Sequence, residues 1–183
     1  MGGAEVLTYA ASGPADFRGK IRGFIAEGPL IALHPKVEPF KATALAGRAA
    51  ASLLPNFQLN QQLPPQLICR DPLVVAEYTA DPLCHNLGTL VGLRDMLARA
   101  RDLREDRVKV PEEARVLVLH GGSDSITSAV ASEKWVERCK ARGMGNVMWK
   151  GYPGAYHQLH REPHGVKEQF VEDVGDWILA NVA

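Results

Sequence analysis

The hydrophobic and polar positions divide the chain into segments of different texture. Residues 2–11 read as a short helix, entered without a polar lead and ended by Ser12-Gly13-Pro14. Residues 20–26 alternate loosely and stop at Gly28-Pro29, as a strand does. From 34 to about 85 the pattern is irregular: Pro35, Pro39, Pro55, Pro64 and Pro65 punctuate short helical pieces such as the Ala-rich 41–54. Residues 86–104 predict a helix with Leu90, Leu93, Leu97 and Ala100 on one core-facing stripe and arginines opposite. The last third is regular. A continuous apolar run at 115–120 has the character of a strand buried on both faces. Helix 129–142 follows, with Ala129, Val136 and Cys139 inward and Gly143 as its stop. A short strand at 146–150 and a helix at 165–181, with Val166, Phe170, Val174 and Ile178 on one stripe, complete the chain. Strand, helix, strand, helix predicts an α/β fold with a parallel sheet.

Composition narrows the function. The 183 residues carry 21 Lys+Arg against 21 Asp+Glu, so no net charge draws the chain to nucleic acid. Hydrophobic residues at 46% exclude a disordered tail. No apolar run approaches the roughly 20 residues of a membrane span. Cys69, Cys84 and Cys139 are three, widely spaced and without a CxxC, which points to reduced thiols of no assigned role rather than disulfides or zinc.

In parallel α/β sheets the reactive groups lie in loops beyond the carboxyl ends of strands. Two such loops carry chemistry here: Gly121-Gly122-Ser123-Asp124-Ser125, and Tyr152-Pro153-Gly154-Ala155-Tyr156-His157-Gln158-Leu159-His160. Asp124 and His157 are 33 residues apart, an interval filled by one helix and one strand, so adjacent parallel strands would set them side by side. An Asp that orients a His acting as general base is two-thirds of a hydrolytic triad. The same two residues also read as an Asp capping helix 129–142 and a surface His in a turn. The six serines, Ser12, Ser52, Ser123, Ser125, Ser128 and Ser132, include none in GxSxG. In α/β-hydrolases the chain order is Ser, Asp, His, which would place a nucleophile well upstream of Asp124, on a turn leading into a helix; helix 2–11 is the one so placed. His157, His160 and His164 have spacing that superficially permits a metal site, but no carboxylate or Cys accompanies them and Pro163 interrupts any aligning helix.

Met1-Gly2-Gly3-Ala4 resembles the end of Gly-His-Ser-Met-Gly-Gly-Ala, the nucleophile elbow of monoacylglycerol lipases and their lysophospholipase-like relatives, the serine aminopeptidase-type hydrolases of the α/β-hydrolase superfamily. The spacing Arg70-x4-Val75-x2-Tyr78-x2-Asp81-Pro82-Leu83 is similar to that family's cap-region signature. Leu119-His120-Gly121-Gly122-Ser123-Asp124 resembles its acid loop, and Gly154-Ala155-Tyr156-His157-x2-His160 its histidine loop. The resemblance implies the C-terminal part of an α/β-hydrolase fold, with parallel strands at about 20–26, 115–120 and 146–150. The core would comprise 1–33 and 105–183, and a mostly helical cap 34–104. It implies Asp124 as triad acid, His157 as base, the Met1 backbone N–H as half of an oxyanion hole, and Tyr78 and His160 at the glycerol head group. Ala44, Leu45, Leu53 and Leu54 are candidates for an acyl tunnel or a lipid-facing surface, with core packing as the alternative. The expected activity is Ser-His-Asp ester hydrolysis of monoacylglycerols or lysophospholipids, without cofactor or metal. The expected setting is cytoplasmic, with peripheral contact to membranes or lipid droplets through the cap. The nucleophile is expected immediately before Met1, making 1–183 a fragment inactive as it stands. The alternatives are a non-catalytic α/β module with a binding role and a hydrolase of other esters or of peptides.

Overall fold

The computed structural model describes residues 2–61 and 63–182. At its centre Val116–Gly121 forms strand β4, all six residues buried. It pairs in parallel with β1 (Phe24–Glu27) on one side and β5 (Val147–Tyr152) on the other, giving the order β1-β4-β5. Successive strand side chains alternate between faces, and two separate cores result. Phe24, Ala26, Val116, Val118 and Val147 pack with Ala4, Leu7 and Ala10 of helix α1 (Gly2–Ser12). Trp135, Val136 and Cys139 of helix α6 (Ala129–Ala141) join them. Leu117, Leu119 and Tyr152 face the other way, onto Trp177 of helix α7 (Val166–Val182). The α/β expectation is therefore met by a parallel sheet covered on both sides.

Between β1 and β4 lie the four-turn helix α5 (Leu90–Arg104), α3 (Lys41–Leu53) and α4 (Pro72–Ala80), with a short helix α2 (Ala15–Arg18) preceding β1. Strands β2 (Gln58–Asn60) and β3 (Leu87–Thr89) form a separate antiparallel pair. The helix predicted from 86 therefore begins at 90: Leu87–Thr89 pairs with β2, and the Thr89 hydroxyl caps α5 by accepting the Gly92 N–H at 3.1 Å. Ala100 and Leu103 at the end of α5 pack in the main core, Leu90 is buried and Leu93 and Leu97 are half-buried.

The sheet strands start later than the alternation implies. Lys20 and Ile21 are drawn into the end of α2 by hydrogen bonds to the Phe17 and Arg18 carbonyls, so β1 begins at Phe24 rather than residue 20. In α7 the half-buried stripe of Val166, Phe170 and Val174 continues to Trp177, 5% exposed, and not to Ile178, 40% exposed. The Trp177 ring lies over Gly23, where a Cβ would meet ring atom Cη2 at 2.5 Å. Gly23→Ala therefore costs about 1–3 kcal/mol by overpacking. Thermal denaturation reads the loss, and Trp177→Phe in the same chain restores part of it. Equal loss in the single and double variants would place the strain elsewhere.

Leu45, Leu53 and Leu54 are 68%, 82% and 58% exposed, so the core-packing alternative falls for all three, while Ala44 is half-buried. Among the described residues no helix is long and apolar enough to cross a membrane. Cys69 and Cys139 are buried and Cys84 half-buried, all as free thiols.

Candidate active site

The ends of β4 and β5 are pressed together by glycine. A Cβ on Gly121 would meet the Tyr156 carbonyl oxygen at 2.0 Å and that of Ala155 at 2.5 Å, so only a glycine lets the second loop cross over the first. Two cross-loop bonds hold the crossing: Gly122 N–H to the Tyr152 carbonyl at 2.8 Å and Ser123 N–H to the Ala155 carbonyl at 2.9 Å. A third segment closes in from β1. Leu33 bridges Thr127, and the Ser128 and His34 N–H groups bond the Ala32 and Ile126 carbonyls. Gly28, at φ +50°, passes under the His157 ring, whose Cε1 and Nδ1 would lie 3.0 Å from any Cβ there.

These constraints deliver Asp124 and His157 to one point: Asp124 Oδ2 accepts from His157 Nδ1 at 2.7 Å. The reading of Asp124 as a helix cap is displaced, because Ser128 caps α6 by accepting the Ala131 N–H at 3.2 Å. Asp124 Oδ1 instead accepts the Ile126 and Thr127 N–H groups at 2.7 and 3.0 Å. Oδ2 also accepts the Thr127 hydroxyl at 2.8 Å and His120 Nε2 at 3.1 Å. The Asp124 side chain is fully buried. Burial by itself would raise its pKa, but the hydrogen bonds from His120 and His157, the charge His157 can carry and the Ile126 N–H prevail. The carboxyl is held well below the usual carboxylate range. It is an ionised acceptor that fixes the proton of His157 on Nδ1. The His157 side chain is 21% exposed, and its Nε2 has no hydrogen-bond partner among the described residues. A base held at one nitrogen and open at the other is the geometry of proton transfer to a group outside the pair.

Tyr78 of α4 packs on the small cluster of Ile68, Cys69 and Val74 together with Ile126, the residue whose N–H binds Asp124. His160 is not drawn to that pair: its Nδ1 lies 2.9 Å from the Glu27 carboxylate and its ring is tilted over Phe170. His157 and His160 thus face different partners. Met1 lies outside the described residues. Burial pushes the Cys139 thiol up to about 11 and raises that of Cys69, which leaves neither disposed to act as a nucleophile.

A sequence profile described as serine aminopeptidase, S33, matches residues 1–164. The chain belongs to the serine aminopeptidase S33 family. This S33 chain is 28% identical over 183 residues to a monoacylglycerol lipase of Mycolicibacterium smegmatis, covering 100% of its own length and 60% of that protein. It superposes on a soluble variant of monoglyceride lipase from Saccharomyces cerevisiae with a TM-score of 0.86 at 26% identity. That match covers 98% of the chain and 62% of the lipase. The monoacylglycerol lipase of Paleococcus ferrophilus gives a TM-score of 0.80, also at 26% identity, over 98% of the chain and 65% of that protein. The S33 chain therefore has the C-terminal part of the α/β-hydrolase fold, and spans about half to three-fifths of the length of the curated relatives it matches.

Four buried polar residues of the S33 chain escaped the sequence reading: His120 and Thr127, which bond Asp124, Ser132, which bonds His120, and Glu162, which pairs with Arg70. His120 carried a signal, being a polar residue that ends an apolar run four positions before Asp124. Glu162 carried none, sitting in the polar stretch 160–165.

Proposed function

We propose that the chain supplies the acid and base of a Ser-His-Asp carboxylic-ester hydrolase, Asp124 and His157, and that its substrates are monoacylglycerols or lysophospholipids. The observation that supports this most directly is the 2.7 Å bond between a buried, ionised Asp124 and a part-exposed His157 at the ends of adjacent parallel strands. The nucleophilic serine and the first oxyanion N–H, that of Met1, belong to the Gly-His-Ser-Met junction expected at residue 1, and 1–183 alone is inactive. In support, no serine hydroxyl bonds His157 among the described residues, and Ser132 and Ser128 are engaged elsewhere.

The lipid substrate is argued from the relatives and from the surface of residues 34–104, which we take as the cap. Phe40, Leu45, Leu53, Leu73 and Leu83 are each more than two-thirds exposed there. Such a concentration of exposed apolar side chains suits peripheral contact with a lipid surface. Tyr78, packed with Ile126 beside the acid loop, and His160, whose Nδ1 is occupied by Glu27 so that Nε2 remains for a hydroxyl, are the head-group residues of this reading. No cofactor or metal takes part in it.

A fluorophosphonate serine-hydrolase probe tests the reading. The chain extended upstream through Gly-His-Ser labels and hydrolyses a monoacylglycerol faster than an aminoacyl amide; residues 1–183 do not label. Labelling of 1–183 would put the nucleophile inside the chain, and preferred cleavage of the amide would replace the ester substrate with a peptide.

A further inference from the structure

The hydrogen bonding around Asp124 does not end at His157. His120, near the end of β4, is fully buried on the α6 side of the sheet, its ring 6.2 Å from that of Trp149. Its Nε2 lies 3.1 Å from Asp124 Oδ2, the oxygen that also binds His157, and its Nδ1 lies 3.0 Å from the Ser132 hydroxyl on α6. An ionised carboxylate can only accept, so Nε2 carries a proton and donates it to Oδ2. In the neutral ring Nδ1 is then an acceptor, and the Ser132 hydroxyl donates to it. The Thr127 hydroxyl, 3.2 Å from the same Nε2, spends its proton on Asp124 Oδ2. A buried imidazole is costly unless both nitrogens are bonded, and here both are bonded along one line: Ser132, His120, Asp124, His157.

We propose that His120, oriented by Ser132, is a positioning residue for the acid–base pair: its Nε2–H shares Asp124 Oδ2 with His157, fixes the plane of the carboxylate and draws part of its charge away from the His157 bond. The proposal rests on the reading of Asp124 and His157 as acid and base. Three donors, His157, His120 and the Thr127 hydroxyl, compete for the density of that one oxygen, so losing His120 strengthens the bonds that remain. A residue that only filled space would leave the His157 bond as it was.

Long-range nitrogen–proton NMR of the imidazoles in the 15N-labelled 183-residue chain decides it. The parent shows His120 with its proton on Nε2, and His157 with a downfield Nδ1 proton. In His120→Leu that His157 proton moves further downfield; in His120→Gln, whose amide can still donate to Oδ2, it returns toward the parent position. Ser132→Ala, which removes the donor to Nδ1, gives a smaller displacement in the direction of His120→Leu. Should His120→Leu not fold, the parent tautomer and the Gln and Ala variants decide alone. A His120 proton on Nδ1 overturns the proposal. So does a His157 signal unmoved by the His120 and Ser132 variants, although Asp124→Asn abolishes it; the acid–base pair then stands. A His157 signal insensitive to Asp124→Asn removes the pair, and this inference with it.

Discussion

Replacing Asp124 by Asn in the upstream-extended protein lowers kcat by about 10,000-fold with little change in KM, the scale on which a misoriented tautomer costs a Ser-His-Asp triad. The side-chain amide keeps the shape but offers a donor where His157 Nδ1–H and His120 Nε2–H now both donate, at 2.7 and 3.1 Å. His157 then turns its proton to the nitrogen that should receive one. Steady-state kinetics check the size and the kcat/KM split; a loss below about 10-fold would mean that His157 is oriented by something else. The same carboxyl also makes stability depend on pH. Its folded pKa lies below the unfolded value of about 3.9, so the stabilisation it gives is complete above that value and disappears as pH falls toward the folded one. Urea unfolding between pH 5 and 3 therefore shows a steeper acid loss in the parent than in Asp124→Asn.

The meeting of Asp124 and His157 could be read from the chain because both sit in loops whose positions follow from long-period patterns. The apolar run 115–120 and the helix after it place Asp124, and the next strand places His157. What escaped are features governed by tertiary contacts at single positions. Ile178 and Trp177 both fit a helical stripe; Gly23, with no side chain, decides for Trp177 by leaving room for its ring. Strands β2 and β3, three residues each, are too short to show a period. His120 looks like the polar end of a strand until Ser132, twelve residues on, is found bonded to it. Glu162 looks like surface charge, although its side chain is fully buried.

That buried glutamate carries the second large effect. Arg70→Ala destabilises the chain by about 3 kcal/mol, the low end of the cost of breaking a buried ion pair, because Arg70 is itself 29% exposed and water can enter its place. Glu162 accepts the Arg70 backbone N–H at 2.8 Å and its Nε at 2.5 Å, so the truncated variant leaves a buried carboxylate without its guanidinium donor. The contact is part of a seam. The Gln158 N–H bonds the Ile68 carbonyl at 2.9 Å, the Cys69 thiol the Arg161 carbonyl at 3.2 Å, and Arg161 pairs with Glu77. Residues 68–77 are thereby fastened to the turn that begins one residue after His157, and loosening the seam loosens His157. For a chain of this length the melting temperature falls by about 6–12 °C. Arg70→Lys recovers part of that, since it keeps the charge but loses the planar guanidinium. Glu162→Gln costs less than Arg70→Ala, because the charge it leaves unpaired, on Arg70, is part-exposed and reaches water. Urea midpoints with unchanged m-values check all three. If Arg70→Ala shifts stability by less than about 1 kcal/mol, the Arg70–Glu162 pair does not fasten the seam, which is then held by its backbone bonds.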